Sequence, residues 1–192
     1  MNHLMQLRLP PFTVGWYPAG IDCTDSVDGD LFLIDHGTWE DDAIQLAQKA
    51  LLLTEPDLEG FTWCAHTAFR RGAFAGEEML SEMGPRGYER RPVKDYHHRL
   101  YAKVHFEVED APRLNAVSND FCCEGLEYGW EQYPVLALDD LTGAKLACGW
   151  GDAIICSTHC VLVLMGLGLF PDRPPSTVVP ARMALWTGAK AQ

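Results

Sequence analysis

The segment "IICSTHCVLVLMGLGL", Ile154 to Leu169, constrains the fold more than any other stretch of the chain. It is nearly all apolar, so it predicts a helix buried within the protein and closed by Gly168. The apolar stretch, which runs on to Phe170, is interrupted by polar residues and too short to cross a bilayer comfortably. No integral membrane segment is expected. Its N-terminal end differs in character, because Cys156, Ser157, Thr158, His159 and Cys160 place nucleophilic and polar groups where the buried helix begins.

With 192 residues, 47% of them hydrophobic and 22% charged, the chain can bury most of its apolar side chains in one domain. The net charge is −12 and basic residues never run longer than two. Nucleic-acid binding needs a concentrated Lys/Arg surface, so nucleic acid is excluded as a partner. The same charge opposes adsorption to anionic membranes or wall polymers. Seven cysteines, an odd number, show no framework spacing, and several sit in apolar runs where reduced cysteine acts as a small hydrophobe. Prolines interrupt "MNHLMQLRLPPFTVGWYP" early, so it lacks the apolar core of a secretory signal. A reducing, cytoplasmic setting is expected, or delivery without a signal peptide by a secretion machine, lysis or a virion.

Residues 1–27 read as an irregular leader and 28–192 as the domain. "DGDLFLID" predicts a turn and a buried strand. "GTWEDDAIQLAQKALLL" predicts a helix, opened by the capping-box pair Thr38 and Asp41. "FTWCAHTAF", "EEMLSEMG" and "YAKVHFEVE" read as strands, "PRGYERRPVKDYHH" as a charged loop and "APRLNAVSNDF" as a helix. Strands and helices mix without strict alternation, which predicts α+β with a small antiparallel sheet packed on helices.

A cysteine opening a buried helix has a chemical advantage. Unpaired backbone N–H groups and the helix dipole stabilise a thiolate there. Cys156 holds that position, with Ser157 and Thr158 suited to the first turn. Cys160, a turn further in, should face the core and stay inert. A thiolate needs a base, and the base an orienting group. His66, between Trp63 and Phe69, is the candidate base, and Glu82 in "MLSEMG" can accept the other imidazole N–H. Zinc is the rival chemistry, since Cys64, His66, Cys156, His159 and Cys160 are soft ligands, but their spacing forms no CxxC knuckle.

In order, "DGDLFLI", "WCAHTAF", "MLSEMGPRGYERRPVKDY", "LEYGWEQY" and "IICSTHCVLVLMGLGL" resemble the circularly permuted papain-like group. That group includes permuted NlpC-type cysteine peptidases and relatives of lecithin retinol acyltransferase. The resemblance covers about residues 28 to 185, including the closing segment "STVVPARMAL". It implies a permuted papain-like fold with Cys156 as nucleophile, His66 as general base and Glu82 as orienting residue. It also implies that Tyr128 steadies an oxyanion beside the Cys156 N–H, with Ser157 a further candidate there. Thr158 stands where the family often has Glu.

The expected activity is therefore that of a cysteine hydrolase forming an acyl-enzyme, without metal or organic cofactor. By resemblance its substrate is a peptide amide, such as a peptidoglycan stem peptide or an isopeptide. A lipid-directed acyltransferase or thioesterase of the same fold is the second expectation, and an inactive papain-like binding module the third. An open apolar groove would mark the lipid enzyme, charged subsites the peptidase. The oligomeric state is left open.

Overall fold

Leu31, Phe32, Leu33 and Ile34 are all fully buried, so the strand they form is covered on both faces. The computed structural model describes residues 15–16, 21–24, 26–96, 100–106, 110–121, 123–142, 153–169 and 175–188. His97, His98, Cys122, Cys148 and most of the 1–27 leader lie outside the described residues.

The main sheet is antiparallel. In chain order its strands are β1 (Gly15–Trp16), β2 (Leu31–Asp35), β3 (His66–Phe74), β4 (Glu77–Gly84), β5 (Gly87–Pro92) and β6 (Leu100–Val104). In space they run β1-β6-β2-β3-β4-β5, with β2 and β3 at the centre. The helices are α1 (Trp39–Ala50), α2 (Asp110–Phe121), α3 (Gln132–Thr142), α4 (Cys156–Gly166) and α5 (Pro180–Thr187). A two-stranded parallel ladder, β7 (Glu127–Tyr128) with β8 (Ala153–Ile154), immediately precedes α4. The expected α+β class with a small antiparallel sheet is what the chain adopts.

Period-two alternation sorts β2 between two cores. Leu31 and Leu33 pack with Phe69, Val104 and the α4 residues Cys160, Val161 and Leu164. Phe32 and Ile34 face the other way, onto Ala68, Leu80, Tyr96 and Tyr101. Ile21 and Cys23 cover this second face, and Gly15–Trp16, within the 1–27 segment read as irregular, forms strand β1.

Two local expectations are corrected. The strand expected to begin at Phe61 starts at His66, because Phe61–Ala65 is held in turns by bonds such as Phe61 N–H to Leu58 and Cys64 N–H to Phe61. "PRGYERRPVKDYHH" is not a loop throughout: Gly87–Pro92 is an edge strand and Val93–Tyr96 a 3₁₀ turn. The tail, for which no element was expected, carries α5 with Pro180 as its first residue. The β4–β5 turn needs Gly87, whose φ is +93° and whose missing Cβ would lie 2.5 Å from the Leu126 carbonyl oxygen.

A buried polar cluster fixes α4 against α2 and the sheet. Asp120 of α2 lies 2.9 Å from His159 Nε2, 2.9 Å from Arg71 Nε and 2.8 Å from the Tyr88 hydroxyl that donates to it. Burial would raise the Asp120 pKa, but the His159 hydrogen bond and charge outweigh it and hold it below the ordinary value. His159 is thus a partner of Asp120 in the buried contact between α4 and α2.

Candidate active site

Ala68 of β3 lies directly opposite Glu82 of β4, which places His66 two residues along on the same face of the sheet. His66 Nε2 stands 2.8 Å from Glu82 Oε2, with both side chains buried. That contact fixes the ring and leaves Nδ1 for the thiol. Glu82 pairs with His66 and not with Arg86, the partner a simple turn-capping role would give it.

Cys156 is the first residue of α4, capped by Ile155, which offers no side-chain acceptor to the first turn. The first-turn N–H groups therefore receive no side-chain cap from Ile155, and the positive end of the helix lies at Cys156. Cys156 shares a side-chain hydrogen bond with His66 and accepts another from the Thr67 backbone. Burial alone would raise the thiol pKa. The His66 charge, these bonds and the Tyr133 hydroxyl outweigh it and bring it below the ordinary 9.0. For His66, burial favours the neutral ring, but Glu82 and then Cys156 reverse this and raise its pKa well above 6.5. An imidazolium–thiolate pair is the state this arrangement favours.

Glu82 is held in its charged form by several neighbours. Burial would raise it, yet His66, Arg91 and the Tyr96 hydroxyl bring its pKa down to about 2. Arg91 NH1 lies 3.4 Å from Glu82 Oε1 and Tyr96 donates to Oε2. His36 adds a third layer, its ring 4.8 Å from that of His66 and its Nδ1 3.7 Å from Asp41.

Two tyrosines meet at the sulfur. The Tyr128 hydroxyl lies 4.0 Å and the Tyr133 hydroxyl 3.8 Å from Cys156 Sγ, and the two hydroxyls are 3.1 Å apart. The β7–β8 register brings this about, since Tyr128 pairs with Ile154, two residues before Cys156. Trp130 packs on both rings, and Cys156 is left with 0% of its surface exposed.

Of the residues expected at the site, Cys156, His66, Glu82 and Tyr128 come together. Ser157 does not: its hydroxyl donates to the Val178 carbonyl in the core, because the helix turns it away from the thiol. Thr158 donates to the Pro175 carbonyl at 3.2 Å, tying α4 to the tail. Cys160 is core, with its pKa raised well above 9.0 by burial, as expected of an inert thiol. Sequence reasoning missed Tyr133, although it closes the same "EYGWEQY" motif as Tyr128. It also missed Tyr96 and the contact of Arg91 with Glu82, both within the stretch read as a loop.

A cleft of about 190 Å³ opens over His66. Its walls include Glu40 and Asp41 from α1, Pro85 and Arg91 from the β4–β5 hairpin, and Tyr128 and Trp130. A larger cleft of about 460 Å³ between Cys23 and Lys94 holds no such nucleophile–base pair, and burial raises the pKa of its Cys23. Among the described residues, no group of three His, Cys, Asp or Glu side chains has the geometry to hold a metal ion. Compared with known proteins, the chain matches no family model and no curated protein.

Proposed function

We propose that this chain is a papain-like cysteine hydrolase of permuted topology, acting through Cys156, His66 and Glu82. One observation carries the proposal. A cysteine with a lowered pKa at a helix N-terminus is hydrogen-bonded to a histidine, which a buried carboxylate holds at 2.8 Å.

In this reaction the Cys156 thiolate attacks the carbonyl carbon of an amide, forming the C–S bond while the carbonyl electrons move to oxygen. The Cys156 N–H, outside the helical ladder as the first residue of α4, and the Tyr128 or Tyr133 hydroxyl receive that charge. Collapse breaks the C–N bond, and His66 gives its proton to the departing amine. His66 then takes a proton from water, whose oxygen attacks the thioester and releases the acid. The sulfur leaves as thiolate and His66 remains protonated, so the starting pair is restored.

The substrate proposed is a peptide amide, such as a wall stem peptide or an isopeptide. Support comes from the cleft over His66, where Glu40, Asp41 and Arg91 stand beside Ile44, Pro85 and Trp130, so that charged groups are at hand for a peptide's polar backbone and side chains. A reducing compartment is proposed as its place of action, consistent with Cys23, Cys64, Cys123, Cys156 and Cys160 forming no disulfide. No helix among the described residues is long and apolar enough to cross a membrane.

The test is incubation with stem-peptide, isopeptide and lipid-ester panels, with intact-mass detection of an acyl adduct on Cys156. Amide cleavage lost in Cys156→Ala supports the proposal. Turnover of lipid esters alone transfers it to the acyltransferase class, and no adduct from any panel points to a binding module.

A further inference from the structure

Helix α1 and the 3₁₀ turn Leu51–Leu53 that continues it carry three large apolar side chains that the fold leaves uncovered. Trp39 is 75%, Leu46 70% and Leu53 80% exposed. They recur every seven residues. Seven α-helical residues fall about 20° short of two turns. The tighter 3₁₀ turn Leu51–Leu53 swings Leu53 back, so the three stay in line. Between them lie exposed Asp42 and Lys49, whose side chains have no ion-pair or hydrogen-bond partner among the described residues. The opposite face, with Ile44 and Gln48, is buried against the domain.

We propose that this face of α1 binds a second copy of the chain, as an antiparallel helix pair about a two-fold axis at Leu46. The strip is self-complementary only in that direction. Leu46 then meets the partner's Leu46, Trp39 meets the partner's Leu53, and Asp42 comes beside the partner's Lys49. Pairing in parallel register sets Asp42 on the partner's Asp42 and Lys49 on the partner's Lys49, which like-charge repulsion opposes. The first turn of α1 is acidic (Glu40, Asp41, Asp42) and its last turn carries Lys49, so antiparallel pairing joins unlike ends throughout. A seven-residue apolar repeat is the spacing two helices need to keep one seam in contact. The strip is modest beside the roughly 800 Å² per partner of a standard interface, so the dimer forms in a concentration-dependent way. Thr38 and Glu40 flank Trp39 and line the cleft over His66, so the second copy sits beside the cleft mouth.

Sedimentation velocity of the full chain over about a hundredfold range of concentration tests this. The variants are Leu46→Glu, Asp42→Lys, Lys49→Glu and the double reversal, each checked for folding by circular dichroism and thermal unfolding. The wild type should dimerise reversibly and Leu46→Glu should be monomeric with unchanged unfolding. Each single reversal should weaken the dimer about two- to fivefold, and the double reversal should restore it. A wild type monomeric at every concentration overturns the proposal, as does a dimer indifferent to Leu46→Glu. A double reversal no tighter than the singles overturns the antiparallel arrangement. A monomer that floats with phosphatidylcholine vesicles through Trp39 gives the strip to a membrane surface instead.

Discussion

His66 and Glu82 are joined at 2.8 Å across neighbouring strands of one sheet, so the orienting contact is set by strand register rather than by a loop. A register shift of one residue would turn one partner to the opposite face. The bulge between Arg70 and Ala73 falls beyond the pair, where it leaves this register intact.

The pKa of Cys156 lies below the ordinary thiol value, so Cys156 should be the first of the described cysteines to react as the pH is raised. Iodoacetamide labelling with peptide mapping should find Cys156 modified first, ahead of Cys64 and Cys160, whose pKa values burial raises well above 9.0. His66→Ala should push the labelling midpoint upward and lower turnover by about 10²–10⁴. Even labelling of all cysteines would count against the nucleophile.

Glu82→Gln keeps the shape and removes the charge that raises the His66 pKa. The His66 pKa should fall, so the alkaline limit of the ion pair should move to lower pH. A pH profile of thiol alkylation measures this. An unchanged profile would reduce Glu82 to a structural role.

The tyrosines are separable. Tyr133→Phe removes a hydrogen bond that lowers the Cys156 pKa, so its alkylation midpoint should rise. If either hydroxyl holds the oxyanion, its Phe variant should lose about 10²-fold in kcat with little change in KM. Tyr128→Ala uncovers the sulfur and should speed alkylation at high pH, where all thiols are ionised. Equal rates in wild type and Tyr128→Ala would mean that Tyr128 does not cover Cys156.

Acid should destabilise the fold through Glu82. Its folded pKa of about 2 lies below the ordinary 4.5, so its contribution is complete above pH 4.5 and is lost as pH falls towards 2. The shift corresponds to about 3 kcal/mol. Urea unfolding at pH 6 and pH 3 measures it, and the pH dependence should shrink in Glu82→Gln.

Short-range patterns made much of this legible. The Thr38–Asp41 capping box is present, with Thr38 Oγ1 accepting from the Asp41 N–H and Asp41 accepting from the Thr38 N–H. The all-apolar run of α4 is buried as its composition requires. What escaped were contacts made by tertiary pairing. β5 reads as a solvated loop because its Arg and Glu residues hide the alternation of an edge strand, while Arg91 reaches Glu82 and Glu89. α3 carries Pro134 in its first turn and follows an aromatic run, and its Tyr133 gains meaning only where β7 pairs with β8.

The covered sulfur has a consequence for the second half of the proposed cycle. Tyr128, Tyr133 and Trp130 shield one side of Cys156, and the cleft meets the site at His66. An incoming nucleophile therefore arrives along the imidazole, in a space of about 190 Å³ whose rim carries Glu40, Asp41 and Arg91. The partition between hydrolysis and transfer then follows from which acceptor that rim admits, so the walls of the cleft decide the product as well as the substrate.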